Sequence, residues 1–212
     1  MAEPANGALP MVYQLRVVLR EISPLIWRRL LVRAEDSIAD LHAALEIAFA
    51  WNGCHLHRFV IHGREYGHDS VLDPREVRLG DLGLRVGERF IYEYDFTDYW
   101  VHDIRLEAIH EARPGRRYPV LTEGRRSAPP DGCGGAWAFL ALRQQHAGAP
   151  LKLLGMFGEL LDADPGQRID EVLGGRYWEF VELCRWTLID LFDRRAANRR
   201  LHDRTDAARS MR

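Results

Sequence analysis

Residues 92–103 read YEYDFTDYWVHD, and this stretch decides how the middle of the chain folds. Asp95 and Asp98 bracket its centre, and aspartates accept hydrogen bonds from nearby amides in tight turns. Apolar and polar residues alternate over 99–109, as they do in a strand with one buried face. The stretch therefore predicts a turn between a first strand over 88–94 and a second strand over 99–109.

One histidine falls on the apolar face of the second strand. Side chains two residues apart share a face of a strand, so His102 points the same way as Trp100 and Ile104. Thr97 in the turn is β-branched and resists a positive φ, so we expect a type I or distorted turn. The question raised by this stretch is what the inward-facing His102 touches.

The residues before this hairpin predict a second hairpin followed by a helix. Residues 12–20 and 26–36 each alternate, and Pro24 separates them because proline cannot donate to a strand ladder. Ser37 is a good N-cap, and Asp40 favours the positive end of a helix. Apolar residues then recur at helical spacing: Ile38, Leu41, Leu45, Ala48 and Phe49.

The order of these elements is typical of a β-grasp (ubiquitin-like) domain. We therefore predict an α+β fold over 12–112, in which one helix covers a mixed sheet, after a disordered leader at 1–11. Residues 113–135 are rich in proline, glycine and arginine and predict a long loop. Residues 136–212 are predicted to be a helical C-terminal extension packed on the first domain. The helices expected there span 136–147, 151–161 and 176–201.

The composition excludes several classes of protein. The 212-residue chain carries a net charge of −2, so no overall charge attracts it to nucleic acid or anionic membranes. No apolar run is long enough to span a bilayer, and the first residues lack the pattern of a signal peptide. Cys54, Cys133 and Cys184 are odd in number and form no CxxC pair, which argues against a disulfide framework and favours a reducing cytoplasm.

Four stretches together resemble one known family, the plasmid pRiA Orf-three-like family. They are WNGCHLHRFVIHGREYG (51–67), YEYDFTDYWVHDIRLE (92–107), YPVLTEGRRSAPPDGCGG (118–135) and LFDRRAANRRL (191–201). Members of that family occur on plasmids and mobile elements, and some are labelled as transposon passenger proteins with a resolvase-like name. The resemblance extends over about residues 12–201 and implies an α+β domain with a helical C-terminal part. It implies no established activity.

The chain departs from the family pattern at two positions. Thr97 replaces the glycine of YDFGD, and Gly132 replaces the second acid of PPEDCGG. A role for that acid therefore does not carry over to this chain. The resolvase-like label finds no support either, since no serine lies in a recognisable recombinase setting.

A metal site is one hypothesis for the histidines and aspartates around this hairpin. His55 and His57 are two apart and share a face if they lie on a strand, and His102 faces the core of the same sheet. Imidazole combined with the carboxylates of Asp95 and Asp98 suits a divalent metal such as zinc or iron. No single segment carries a diagnostic ligand spacing, and the alternative is that these histidines are structural.

An enzyme pocket is a related hypothesis, with Asp95, Asp98, His102 and Cys133 as catalytic candidates. Cys133 lies between glycines just before a predicted helix, where exposed amides and the helix N-terminus favour a thiolate and an oxyanion hole. An aspartate or a histidine would then serve as general base or metal ligand. The alternative is a glycine-rich entry to the helix in which a small cysteine merely packs.

Arginines suggest a third type of function. They cluster in the loop (Arg113, Arg116, Arg117, Arg125 and Arg126) and in the tail (Arg194, Arg195, Arg199, Arg200, Arg204, Arg209 and Arg212). Clusters of this kind bind phosphate. Aspartates interleave with the tail, however, and basic residues suit a helix C-terminus, so nucleic acid is not the favoured partner.

The sequence favours an accessory or interaction protein of mobile-element origin. Its partner would be an unidentified protein or small molecule, with Trp27, Arg29 and Arg33 as candidates on an exposed sheet face. An enzyme with the pocket described above is the alternative, and a nucleic-acid-associated protein is the second alternative.

Overall fold

The computed structural model describes residues 10–68 and 70–210, and a seven-stranded antiparallel sheet forms its centre. The strands are β1 Met11–Leu19, β2 Trp27–Arg33, β3 His57–Ile61, β4 Arg64–Gly67, β5 Arg89–Tyr94, β6 Trp100–Glu111 and β7 Val120–Arg125. Their order across the sheet is β4-β3-β5-β6-β1-β2-β7. Both predicted hairpins, β1–β2 and β5–β6, are confirmed.

The β-grasp prediction is wrong. Every strand pairing in the described residues is antiparallel, whereas a β-grasp has a mixed sheet. The long strand β6 lies along the whole of β1, from the pair Met11↔Glu111 to the pair Leu19↔His102. Strand β7, which lies inside the interval predicted as a loop, adds to the outer edge of β2. Local patterning had revealed the strands but not these long-range partners.

Within the described residues, six helices share one hydrophobic core with the sheet. They are α1 Ile38–Phe49, α2 Gly135–Gln145, α3 Ala149–Leu161, α4 Ile169–Leu173, α5 Tyr177–Thr187 and α6 Arg194–Ser210, with short 3₁₀ turns at Leu79–Leu82 and Gly174–Arg176. Helix α1 begins at the predicted cap, where Ser37 and Asp40 exchange hydrogen bonds in a capping box. The expectation of one covering helix is wrong, because α6 also packs against α1 and β7.

The C-terminal part differs in detail from the sequence expectation. The helix predicted over 176–201 is divided into α5 and α6, because Asp193 accepts a hydrogen bond from the amide of Ala196 and starts a new helix. Residues 1–9 of the predicted leader lie outside the described residues, and Met11 already belongs to β1. Over the described ranges, no helix is both long enough and apolar enough to cross a membrane.

The two faces of the sheet have different chemistry. The face toward the helices is apolar, and on β1 it is formed by Tyr13, Leu15, Val17 and Leu19. The opposite face carries ion pairs between neighbouring strands, including Arg20–Asp103 at 2.6 Å and Arg29–Glu107 at 2.5 Å. The hydrophobic core therefore lies between the sheet and the helices, and His102 points into it.

Candidate functional site

The strand register places His102 in a row of core side chains. Phe59 on β3 pairs with Tyr92 on β5, Tyr92 pairs with His102 on β6, and His102 pairs with Leu19 on β1. Directly paired residues of neighbouring strands point to the same face. The sequence prediction that His102 faces inward is confirmed, since its side chain is fully buried.

His102 is held among aromatic rings. Its Nδ1 lies 3.3 Å from the carbonyl oxygen of Tyr92, and its ring centroid lies 4.7 Å from Phe49 and 5.3 Å from Trp51. Its buried Nε2 has no hydrogen-bond partner among the described residues. Burial lowers the pKa of His102 to about 3, so the imidazole is neutral at physiological pH.

Trp51 is the centre of what we call the aromatic cluster. The cluster consists of Phe49, Trp51, Tyr92, Tyr94, Trp100 and His102. The Trp51 ring stacks on Tyr94 with centroids 4.5 Å apart, and its Nε1 donates to the carbonyl oxygen of Pro129 at 3.1 Å. This hydrogen bond ties the segment after β7 to the cluster.

Several polar atoms in and beside the aromatic cluster are buried without a partner. Besides His102 Nε2, they are Tyr94 Oη, Trp100 Nε1 and Asp131 Oδ1, as far as the described residues show. Burial raises the pKa of Tyr94, and the charge of Asp131 raises it further, so its phenol stays protonated. A buried polar atom without a partner costs about 1–3 kcal/mol, so the packing of the surrounding rings has to offset this cost.

A histidine pair that the sequence reasoning missed lies beside the cluster. His42 on α1 stacks on His57 with centroids 3.3 Å apart, and its Nδ1 lies 2.8 Å from Tyr92 Oη. Its Nε2 lies 2.9 Å from Glu46 Oε1, one helical turn away. Burial lowers the pKa of His57 to about 4, and the charge of His42 lowers it further. The available signal was the i,i+4 spacing of His42 and Glu46 on a helix.

The predicted aspartates organise the β5–β6 turn. Asp95 is buried and accepts hydrogen bonds from the amides of Thr97 and Asp98, as the sequence predicts. Positive φ falls on Asp95 (56°) and Tyr99 (55°) and not on Thr97. His55 Nδ1 lies 3.4 Å from Asp95 Oδ1, so two of the predicted site residues do meet here.

Cys133 lies next to the second aspartate of the turn. Asp98 accepts a hydrogen bond from the amide of Gly134 at 3.1 Å, which ties the turn to the start of α2. Burial raises the pKa of the Cys133 thiol to about 11, and the neighbouring charge of Asp98 raises it further. These surroundings oppose thiolate formation, because a thiolate needs positive charge nearby.

The predicted site residues thus form separate groups. His55 meets Asp95, Cys133 meets Asp98, and His102 lies in the aromatic cluster. Within residues 10–68 and 70–210, no three His, Cys, Asp or Glu side chains converge in a way that could hold a metal ion. A metal bound by His55, His57 and His102 therefore has no assembled ligand set here.

Many of the clustered arginines have partners within the protein. Arg117 pairs with Asp206, Arg126 pairs with Asp190, and Arg194 donates to the carbonyl oxygen of Thr122. Arg212 and the side chain of Arg209 lie outside the described residues. On the open sheet face, Arg16 and Arg29 lie 5.2 and 5.4 Å from the Trp27 ring centroid.

A second region stands out because it is apolar and exposed. Large apolar side chains with high exposure concentrate on α2 to α5: Trp137, Leu151, Leu154, Phe157, Leu161, Ile169, Tyr177 and Trp178. Four of them follow one another along α3, and we call Leu151, Leu154, Phe157 and Leu161 the α3 stripe. Helical spacing places these four on one side of the helix.

Comparison with known proteins identifies the family. A sequence profile described as plasmid pRiA4b ORF-3-like protein matches residues 11–148. The chain belongs to the plasmid pRiA4b ORF-3-like family. An uncharacterized protein of Sinorhizobium fredii, y4hQ, is 32% identical over 135 residues, which is 60% of this chain and 69% of that protein.

A solved structure has the same arrangement of elements. The crystal structure of a protein of unknown function from Methanosarcina mazei Go1 has a TM-score of 0.62 and 26% sequence identity to this chain. The match covers 88% of this chain and 97% of that one. The family is one of plasmid-associated proteins without an established activity, and the resemblance seen in the sequence is confirmed.

Proposed function

We propose that this protein is an accessory interaction protein that docks through the α3 stripe. The exposure of the stripe is the observation that carries the proposal: Leu151, Leu154 and Leu161 are 76%, 67% and 84% exposed. Contiguous exposed apolar surface marks interaction sites in folded proteins. Burial of a leucine side chain contributes about 1.5–3 kcal/mol, so covering this stripe favours association.

The stripe is the outer side of a helix whose inner side is already packed. Leu153 and Met156 of α3 are buried, and Phe157 contacts Phe180 of α5 with ring centroids 5.6 Å apart. Helix α3 is therefore fixed in place, and its exposed leucines form a preorganised surface. A preorganised surface loses little conformational entropy when a partner covers it.

A second copy of this chain is the partner that fits the stripe. Lys152 and Glu159 are the two charged residues of α3, and both lie on the side of the helix away from the stripe, where Glu159 pairs with Arg176. When two copies of a helix pack antiparallel about a two-fold axis, the same flank of each faces the other. The leucines of one copy then lie against those of the other with no charged residue of α3 between them, so the stripe is complementary to itself in hydrophobicity.

A cytoplasmic location is part of the same proposal. Cys54, Cys133 and Cys184 are all free thiols, which suits a reducing compartment. Membership of a plasmid-associated family supports an accessory role alongside other proteins of a mobile element.

The mass of the protein in solution tests the proposal. We expect sedimentation equilibrium to give about twice 24.4 kDa for the wild type and a monomer for Leu154→Glu, because a carboxylate cannot be buried in the interface. The matched control is Val71→Glu, which adds the same charge at a fully exposed site away from α3. A monomeric wild type, or a Leu154→Glu variant as dimeric as the control, would overturn the proposal.

A further inference from the structure

A cavity beside the aromatic cluster contains a buried cation. The cavity has a volume of about 460 Å³ and lies between the end of α1, the segment after β7 and the start of α6. Its lining includes Arg28, Arg185 and Arg200, together with Phe49, which also contacts His102. A volume of this size is in the range of small-molecule sites.

Arg28 is the unusual member of the lining because it is buried on the apolar face of the sheet. Its side chain is 1% exposed, and its guanidinium carbon lies 3.7 Å from the Phe192 ring centroid and 4.9 Å from that of Phe49. Nε donates to the carbonyl oxygen of Ala48, and Nη1 donates to those of Trp27 and Arg125. These three hydrogen bonds do not use Nη2.

The part of the chain that the structure describes supplies no carboxylate partner for the charge of Arg28. Among the described residues, no carboxylate lies within ion-pair distance of its guanidinium, and burial alone lowers its pKa to about 9. Three carbonyl dipoles solvate the charge only in part, and an unpaired buried cation is costly. An anion in the cavity would offset that cost.

The remaining charges of the lining also favour an anion. Arg200 is exposed at the cavity, and Arg185 lies on the other wall, where it pairs with Glu182. Asp193 is the one acid in the lining, and its carboxylate already accepts a hydrogen bond from the amide of Ala196 at the start of α6. The cavity therefore carries a net positive charge.

The apolar walls decide what kind of anion fits. Phe49, Leu188 and Phe192 are apolar members of the lining. A fully hydrated inorganic ion would leave these side chains in contact with water. We propose that the cavity binds an organic carboxylate whose apolar body packs against these walls and whose carboxylate faces Arg28 and Arg200. Nη2 of Arg28 would donate to that carboxylate, and a hydrogen bond between two charged groups is stronger than one between neutral groups.

Calorimetric titration of the full-length chain with octanoate, octanol and inorganic phosphate tests the proposal. We expect octanoate to bind, and octanol and phosphate to bind at least about tenfold more weakly, since each lacks one of the two recognised features. Absence of octanoate binding, or equal binding of octanol or phosphate, would overturn the proposal.

A pair of variants locates the binding. Arg200→Gln removes an exposed cation from the lining, and we expect it to weaken octanoate binding by about tenfold. Arg199→Gln makes the same change at the adjacent residue, which does not line this cavity, and should stay within about twofold of the wild type. Equal effects of the two substitutions would place the carboxylate elsewhere and refute the assignment. The readout does not depend on the state of the α3 stripe.

Discussion

The aromatic cluster and the α3 stripe are opposite in character. Among the described residues, the polar atoms that the cluster buries on His102, Trp100 and Tyr94 have no hydrogen-bond partner, whereas the stripe exposes leucines to water. The family profile ends at residue 148, and α3 begins at Ala149. The aromatic cluster therefore lies within the profile match, and the proposed partner surface begins where that match ends.

Folded proteins usually pair their buried polar atoms and cover large apolar patches, and each region departs from one of these two tendencies. A buried polar atom without a hydrogen bond lowers the free energy of unfolding, and so must be offset by the packing of large rings around it. An exposed leucine costs the folded monomer little, but it favours association. Substitutions in the cluster should therefore change the free energy of unfolding, and substitutions in the stripe should change the affinity between copies.

The largest expected effect is that of truncating a buried tryptophan of the cluster, compared with truncating an exposed tryptophan among the helices. Trp100→Ala removes a ring that is 1% exposed and should lower the free energy of unfolding by about 3–5 kcal/mol, because a cavity remains. Trp178→Ala removes a ring that is 76% exposed and should change it by no more than about 0.5 kcal/mol. Urea unfolding followed by far-UV circular dichroism measures both. Equal losses of unfolding free energy in the two variants would contradict the difference between the two regions.

The sequence predicted those features of the cluster that depend on local pattern. Alternation of residues along β6 was enough to turn His102 inward, and the aspartates of the β5–β6 turn were enough to locate the turn. The sheet order could not be predicted, because the pairing of β1 with β6 joins segments about ninety residues apart. His42 was missed because its contacts with His57 and Tyr92 exist only once α1 packs on the sheet.

The second prediction concerns pH and the neutral His102. Its pKa is 6.5 in the unfolded chain and about 3 in the folded protein, so the unfolded state binds the extra proton first as the pH falls. This contribution to stability is complete above about pH 6.5 and is lost progressively toward pH 3. At pH 5 the loss from His102 amounts to about 2 kcal/mol relative to neutral pH.

Replacement of the histidine isolates this contribution. We expect His102→Phe to lose about 2 kcal/mol less than the wild type between pH 7 and pH 5, measured by urea unfolding at each pH. His110→Phe is the control, since it replaces an exposed histidine of the same strand. If His102→Phe loses as much unfolding free energy between pH 7 and pH 5 as the wild type, the imidazole of His102 is not buried and neutral. That result would also weaken the contrast between the two regions.

The α3 stripe shows where sequence reasoning stops. The run LKLLGMFGELL (151–161) is apolar on nearly every side of a helix, so its pattern predicts a helix but not which leucines are covered. Only the packing of Leu153 and Met156 against neighbouring helices leaves Leu151 and Leu154 outside. The surface on which the proposed function rests was therefore invisible in the pattern.

Truncation of one leucine of the α3 stripe gives the smallest effect and the most direct test. Leu151→Ala shortens an exposed apolar side chain of the stripe, whereas Lys152→Ala shortens the adjacent residue on the side of α3 away from it. Sedimentation equilibrium of the wild type and the two variants measures the dimer dissociation constant. We predict that Leu151→Ala dimerises severalfold more weakly than the wild type and that Lys152→Ala stays within about twofold of it. A Leu151→Ala variant that dimerises as tightly as Lys152→Ala would contradict the antiparallel α3 contact.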